Sequence, residues 1–232
     1  VKMLTAVPSG TLGVEAAKLL VQGQQLAAIR EALASNNDEQ AASAAASLAY
    51  VNNAQVREML QSVVTNTDRS RQVRTAATDA LGRSRPGQLF LLNLAKAGKV
   101  TGDIQFAVTN ALLGSNQDDI RREAQEFVQA PATAGSESLP PLQELVKMRG
   151  DAAAGKVVFN TVGTCNKCHK VLGEGKEVGP DLSEIGSKLS REDLYVNILD
   201  PSAAVSHNFE TYTLLDVDGQ ILTGLLINQN DT

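Results

Sequence analysis

The chain has 232 residues, 43% hydrophobic and 20% charged, which is enough apolar material for one or two folded domains and too much for a disordered or collagen-like chain. No run of the sequence approaches the ~20 consecutive apolar residues of a membrane-spanning helix. An aromatic content of 3%, the absence of Trp and a net charge of −5 argue against a stacking platform for nucleic acid and against a phosphate-binding surface.

The charge divides unevenly. Residues 1–150 hold 15 basic and 14 acidic side chains, whereas residues 151–232 hold 6 and 12. This asymmetry predicts two domains. The sequence opens at Val1 without Met and without a charged-then-apolar leader, so a signal peptide is expected to have been removed or never to have belonged to these residues. The compartment must then be read from the chemistry.

Taken in chain order, residues 13–20 and 24–33 carry apolar positions at helical spacing and predict two short helices. Ser35, Asn36, Asn37 and Asp38 form a turn and helix start, with Gln40 placed for a loose capping arrangement. A weak internal repeat follows over residues 40–56, 72–89 and 104–120. Each unit has a helix rich in small residues, then Ala or Leu pairs, then a polar turn. Leu48, Leu81 and Leu112 mark it, 33 and 31 residues apart. Small residues let helices approach closely, and a unit that cannot bury its apolar stripe alone must stack on its neighbours. The pattern resembles HEAT-like α-solenoids, with a shorter period than theirs. Arg69, Arg71, Arg74, Arg83 and Arg85 form a local basic cluster, read as a solvated helix face or else as a dock for an acidic partner domain. Residues 118–122 are an ordinary helix start with charges that complement the dipole.

Residues 131–141 are small, polar and proline-bearing, and predict a linker. Pro141 opens a short helix that runs to Met148. Asp151 is placed to cap a helix over 152–159, and the glycine-rich stretch 161–181 is expected to be a loop. Ser190 and Asp193 bound a capping box ahead of a helix carrying Leu194, Tyr195, Ile198 and Leu199, which Asp200-Pro201 ends. The period then changes. Residues 209–215 and 221–227 predict strands, joined by a hairpin turn at Asp218-Gly219.

Both cysteines lie in one pentapeptide, Cys165-Asn166-Lys167-Cys168-His169, which one of the two histidines completes. C-x-x-C-H is the attachment signature of c-type haem. Two thiols at this spacing can add to the two vinyl groups of one porphyrin, and the next residue places an imidazole under the iron. Three alternatives stay open at this point. A thioredoxin-type redox pair wants a βαβ context that the pattern lacks. A zinc site would need Cys165, Cys168, His169 and His207 together. The plainest alternative is a disulfide or an accidental match of the motif.

The surroundings carry a resemblance. Gly150-Asp151, Gly155, Phe159, the C-N-K-C-H, Gly173-x-Gly175, Gly179-Pro180-Asp181-Leu182, Ile185-Gly186 and Leu199-Asp200-Pro201-Ser202 are similar to the haem-binding cytochrome c domain of large planctomycete and verrucomicrobial proteins. The hairpin with Asp218-Gly219 and Thr223-Gly224 matches too. In those proteins the domain often follows HEAT-like repeats and a propeller, in membrane-bound dehydrogenases. The resemblance covers residues 150–232 specifically and the first 130 loosely.

It implies that Cys165 and Cys168 form thioethers, that His169 is the proximal iron ligand, and that the Pro180 carbonyl accepts the His169 Nδ1–H bond. Phe159, Val178, Leu182, Leu189, Leu194 and Ile198 are candidate apolar walls around the haem, or simply core. The family's distal Met lies beyond the hairpin, ahead of a last helix. Here the three Met residues, Met3, Met59 and Met148, all precede the motif, so the chain is expected to be a fragment or to have an ordered part that ends early. His207 is then the strong ligand available downstream; otherwise it is a polar loop residue, and the distal ligand is missing or water fills the site.

The expected fold is mostly α. A HEAT-like α-solenoid spans 1–130, a linker and short helix span 131–149, and a cytochrome c-like α domain with a small β-hairpin insertion spans 150–232, incomplete at its C-terminal end. The expected function is one-electron transfer through one covalent haem c, with a redox partner protein or a fused dehydrogenase domain. Haem attachment of this type implies a periplasmic or other extracytoplasmic location. An open distal site would instead suit a peroxidase or gas sensor, and a third reading makes the helical repeat an interaction scaffold.

Overall fold

In the computed structural model the described residues are 11–131, 137–201, 209 and 211–225. They are mostly helical, with two small two-stranded sheets. The chain divides into two compact units, Val1–Leu142 and Gln143–Thr232, and the break falls within residues 131–149. Among the described residues no helix is long and apolar enough to cross a membrane.

The first unit is built from α1 (Thr11–Gln22), α2 (Leu26–Leu33), α3 (Asp38–Ser47), α4 (Ala54–Thr65), α5 (Arg71–Gly82), α6 (Arg85–Lys96), α7 (Gln105–Leu113) and α8 (Asp118–Ala124). Local chemistry sets several starts. The side chains of Asn37, Asn53 and Ser84 accept the backbone N–H groups of Gln40, Val56 and Gly87, donors that a helix start otherwise leaves unpaired. Pro86 sits in the first turn of α6, where its missing N–H costs nothing. Gln24 adopts a left-handed backbone (φ 55°), so α2 begins at Leu26 rather than at residue 24, and α1 extends beyond the expected 13–20 at both ends.

The helices meet in two rows. α1, α3, α5 and α7 pack each on the next, and α2, α4, α6 and α8 do the same. Equivalent positions in the first row are buried at the spacing of the sequence repeat: Ala44, Ala77 and Val108; Ala45, Thr78 and Thr109; Leu48, Leu81 and Leu112. Small residues set the closeness of the row. A Cβ on Gly82 would lie 2.7 Å from the Ala111 methyl, so α5 meets α7 at a distance only glycine allows.

The basic cluster is only in part the solvated face expected of it: Arg83 and Arg85 are exposed, Arg69 and Arg71 half-buried, and Arg74 buried. Arg74 is only 4% exposed. Its guanidinium donates to the Val64 carbonyl (3.1 and 2.9 Å) and to the Thr101 hydroxyl (2.9 Å), and it pairs with Asp103. Arg85 forks onto Asp119 (2.9 and 2.6 Å) and holds that carboxyl down at about 2. Arg69 donates to the Ser35 carbonyl (3.0 Å), and Arg83 lies over the Tyr50 ring. Carbonyls and carboxylates of neighbouring helices take up Arg69, Arg74 and Arg85, a tertiary pairing that the run of arginines does not reveal.

Short α9 (Leu142–Leu145) spans the break between the units. The second unit continues with α10 (Ala152–Asn160), a 3₁₀ turn at Cys165–Lys167, strands β1 (Lys170–Val171) and β2 (Glu174–Gly175), α11 (Ile185–Lys188), α12 (Arg191–Leu199), and the hairpin β3 (Thr211–Leu215) and β4 (Ile221–Leu225). Asp151 caps α10 through the Ala154 N–H (2.7 Å), and Ser190 with Asp193 closes a capping box on α12. Arg191 donates to the carbonyls of Val146 and Met148, both at 3.1 Å, which fixes the start of α12 to residues 146–148.

Two expectations change here. Residues 161–181 are not an open loop. They contain the 3₁₀ turn and the β1–β2 hairpin, whose turn residues Leu172 and Gly173 both have positive φ, as a two-residue turn of this kind requires. The later hairpin pairs Thr211 with Leu225 through Leu215 with Ile221, around a turn held by Asp216; Phe209 is not part of the strand, and residues 210, 226 and 227 of the expected strands lie outside those described.

Candidate functional site

The motif lies between α10 and β1. α10 ends where the Gly163 N–H returns to the Val158 carbonyl (2.8 Å), and Thr164 then takes a left-handed backbone. The chain tightens into the 3₁₀ turn, and both Cys168 and His169 donate their N–H groups to the Cys165 carbonyl (3.1 and 2.9 Å). The turn thus presents Cys165, Cys168 and His169 from one short knot of backbone. Both thiols are free, Cys165 half-buried and Cys168 exposed.

His169 is fixed by the segment that follows. Its Nδ1 lies 2.8 Å from the Pro180 carbonyl oxygen. A carbonyl only accepts, so Nδ1 carries the proton, and in the neutral ring Nε2 keeps its lone pair. Gly179 presses on the ring: a Cβ there would stand 2.7 Å from Cε1 and 3.0 Å from Nδ1. Backbone bonds close the arrangement on both sides, from the Gly179 N–H to the Cys168 carbonyl (2.7 Å) and from the Leu182 N–H to the Lys170 carbonyl (2.9 Å). Gly175, with φ +108°, runs so close to the His169 carbonyl that a side chain would collide with it. Sequence reasoning passed over both glycines as packing elements. The signal was present as glycine at each end of a short span beside the histidine.

The apolar candidates are spread out. Phe159, Leu182, Leu189 and Leu194 are half-buried, while Val178 is 51% and Ile198 72% exposed. Val157, Val158, Val162 and Leu172 are exposed as well. From Val146 onward no described residue is buried at all. A unit of this length that folds on its own normally buries a hydrophobic core. Here the apolar side chains stay half-buried or exposed, and the donor set in the same unit is two free thiols and one imidazole nitrogen. These residues fit a haem. Among the described residues no group of three or more His, Cys, Asp or Glu is gathered to hold a bare metal ion. His207, the distal candidate, and Met3 lie outside the described residues.

The charges around the knot are mostly paired. Lys170 reaches Glu177 (2.6 Å), which raises the pKa of its ammonium, and Lys156 reaches Glu174 (3.1 Å). Asp181 accepts from the Ser183 hydroxyl (2.5 Å) and backbone N–H (2.8 Å), and these bonds hold its carboxyl below the usual range.

No curated protein and no solved structure matches the chain. Residues 152–213 match the model of the family described as cytochrome c, a span that begins in α10, takes in the motif and Pro180, and ends in β3; this match supports a haem-binding c-type cytochrome domain in that part of the chain.

Proposed function

We propose that residues 150–232 carry a single haem c, bound through Cys165 and Cys168 and ligated by His169, and pass one electron at a time between protein partners. The observation that carries this reading is the His169 ring, held by Pro180 through Nδ1 with Nε2 left free, directly after two free thiols. When bound, the haem supplies a one-electron Fe(III)/Fe(II) couple. The chain's part is to hold and tune it. The Nδ1–H bond to Pro180 orients the imidazole and raises its basicity. Phe159, Val178, Leu182 and Leu194 exclude water. His207 is a candidate distal ligand beside the reading in which water fills that position.

The wider reading rests on the resemblance and on packing. The two rows of helices, each packed on its next-but-one neighbour, support a HEAT-like α-solenoid over 1–130. We assign the chain to the planctomycete-type arrangement, as an extracytoplasmic electron-transfer module of a larger dehydrogenase, an analogy at the level of domain order. The test is the absorbance of protein made with a c-type maturation system, oxidised, reduced and in alkaline pyridine. A haemochrome that survives acid–acetone extraction is expected. A colourless protein with a Cys165–Cys168 disulfide would remove the electron-transfer reading.

A further inference from the structure

The bond from His169 to Pro180 raises the question of what holds the Pro180 carbonyl. Proline has no N–H with which to anchor itself. Its carbonyl is placed by its neighbours, and those on the C-terminal side form a short polar chain. The Leu172 N–H donates to Ser183 Oγ at 2.7 Å. Ser183 Oγ, with its single proton, donates to Asp181 Oδ1 at 2.5 Å. The Ser183 N–H donates to the same carboxylate oxygen at 2.8 Å. A hydroxyl has one donor and two acceptor positions, so the direction is fixed: Leu172 N–H to Ser183 O–H to Asp181 carboxylate. Ser183 thereby locks the turn that follows Pro180 onto the β1–β2 hairpin that follows His169. The two ends of the His169–Pro180 bond are tied together by one side chain.

We propose that Ser183, with Asp181 as its acceptor, is a positioning residue for His169: it sets the Pro180 carbonyl so that the imidazole is held in the Nδ1–H form. This deepens the cytochrome reading, since a metal-bound imidazole is tuned through the partner of its other nitrogen. The geometric claim stands on the chain's own residues and can be tested with or without haem.

The experiment is nitrogen-15 NMR of the His169 ring in the full chain, cofactor-free and haem-loaded, for the parent and for Ser183→Ala, Ser183→Thr and Asp181→Asn. In the cofactor-free parent the ring is expected in the Nδ1–H tautomer. Ser183→Ala is expected to lower the ratio of Nδ1–H to Nε2–H about fivefold, the worth of one ordinary hydrogen bond. Ser183→Thr restores the parent ratio, and Asp181→Asn gives an intermediate value. In the haem-loaded chain Ser183→Ala raises the reduction potential, because a less basic imidazole stabilises the oxidised iron less. An unchanged tautomer ratio in both Ser183→Ala and Asp181→Asn overturns the proposal. If Ser183→Ala does not fold, Asp181→Asn, which keeps the shape of the turn, decides alone. A parent that binds no haem but shows the tautomer shift would sink the cytochrome reading and leave the positioning role standing.

Discussion

At the scale of single residues, the space beside His169 is the tightest constraint on the site. Gly179 does not occupy the left-handed φ region, so its φ does not by itself require glycine. The objection is steric, because the added methyl would stand 2.7 Å from the His169 ring. The ring would have to tilt away from Pro180 or the 179–182 segment would have to retreat. Gly179→Ala is expected to cost about 1–3 kcal/mol, as overpacking does, and to lower the thermal midpoint of the haem-loaded chain. Full stability with an unshifted spectrum would show that the segment yields freely. Arg74 makes a second residue-scale case. Burial pushes the Asp103 carboxyl up, but the Thr101 hydroxyl and Arg74 outweigh it and hold it below the usual range. A depressed carboxyl pKa stabilises the fold above the unfolded value near ~3.9, and that contribution is lost as the pH falls through the folded value. Asp103→Asn should therefore be less stable than the parent in urea at pH 7, with the gap narrowing as the pH falls below about 4. A gap that stays constant would contradict the assignment. Arg74→Met removes the buried partner and leaves the Val64 carbonyl and Asp103 uncompensated, at a cost of about 3 kcal/mol.

At the scale of elements, α5 is the centre of the first unit, packed on α3, α4, α6 and α7. Leu81 is buried where those helices converge, so Leu81→Ala should cost about 2–5 kcal/mol by chemical denaturation. Leu19 on α1 is 66% exposed, and Leu19→Ala should stay within about 0.5 kcal/mol. Similar losses at the two positions would contradict the row arrangement. The same elements show what could be read in advance. The 33- and 31-residue spacing of Leu48, Leu81 and Leu112 was legible because a repeated burial pattern leaves a repeated apolar pattern. The caps at Asp151 and Ser190 were legible because they are local. The fate of Arg74 was not, because its partners Val64, Thr101 and Asp103 lie 10 to 29 residues away and the repeat brings them together. The β1–β2 hairpin was hidden for another reason. Its strands are two residues each, too short for any alternation, and Leu172 occupies a left-handed position usually given to Asn or Gly. The order Cys165, Cys168, His169 was plain, whereas the Asp181–Ser183–Leu172 chain that fixes its far side had no spacing to announce it.

At the scale of the whole molecule, the two units obtain their stability differently. The first carries a continuous set of buried side chains, from Ala17 and Ile29 through Leu91 and Leu112 to Ile120. At ~25 cal/mol per Å² of apolar surface, such a set sustains a fold unaided. In the second unit, from Val146 onward, no described residue is buried, and the unit is held by caps, turns and short ladders instead. Hydrogen bonds of that kind contribute about 1 kcal/mol each, so with only half-buried apolar side chains beside them the unit is folded but of low stability. A haem would supply the missing apolar contact area and would stabilise this unit by linkage, since it binds the folded form. The expected result in hydrogen exchange read by mass spectrometry is therefore asymmetric. In the cofactor-free chain, amides of α3, α5 and α7 exchange slowly while those of α10 and α12 exchange fast. Loading with haem slows α10 and α12 by orders of magnitude and leaves α5 almost unchanged. Slow exchange in α10 and α12 without haem would mean that the second unit has a core of its own, and its apolar surface would then need a different explanation from a cofactor.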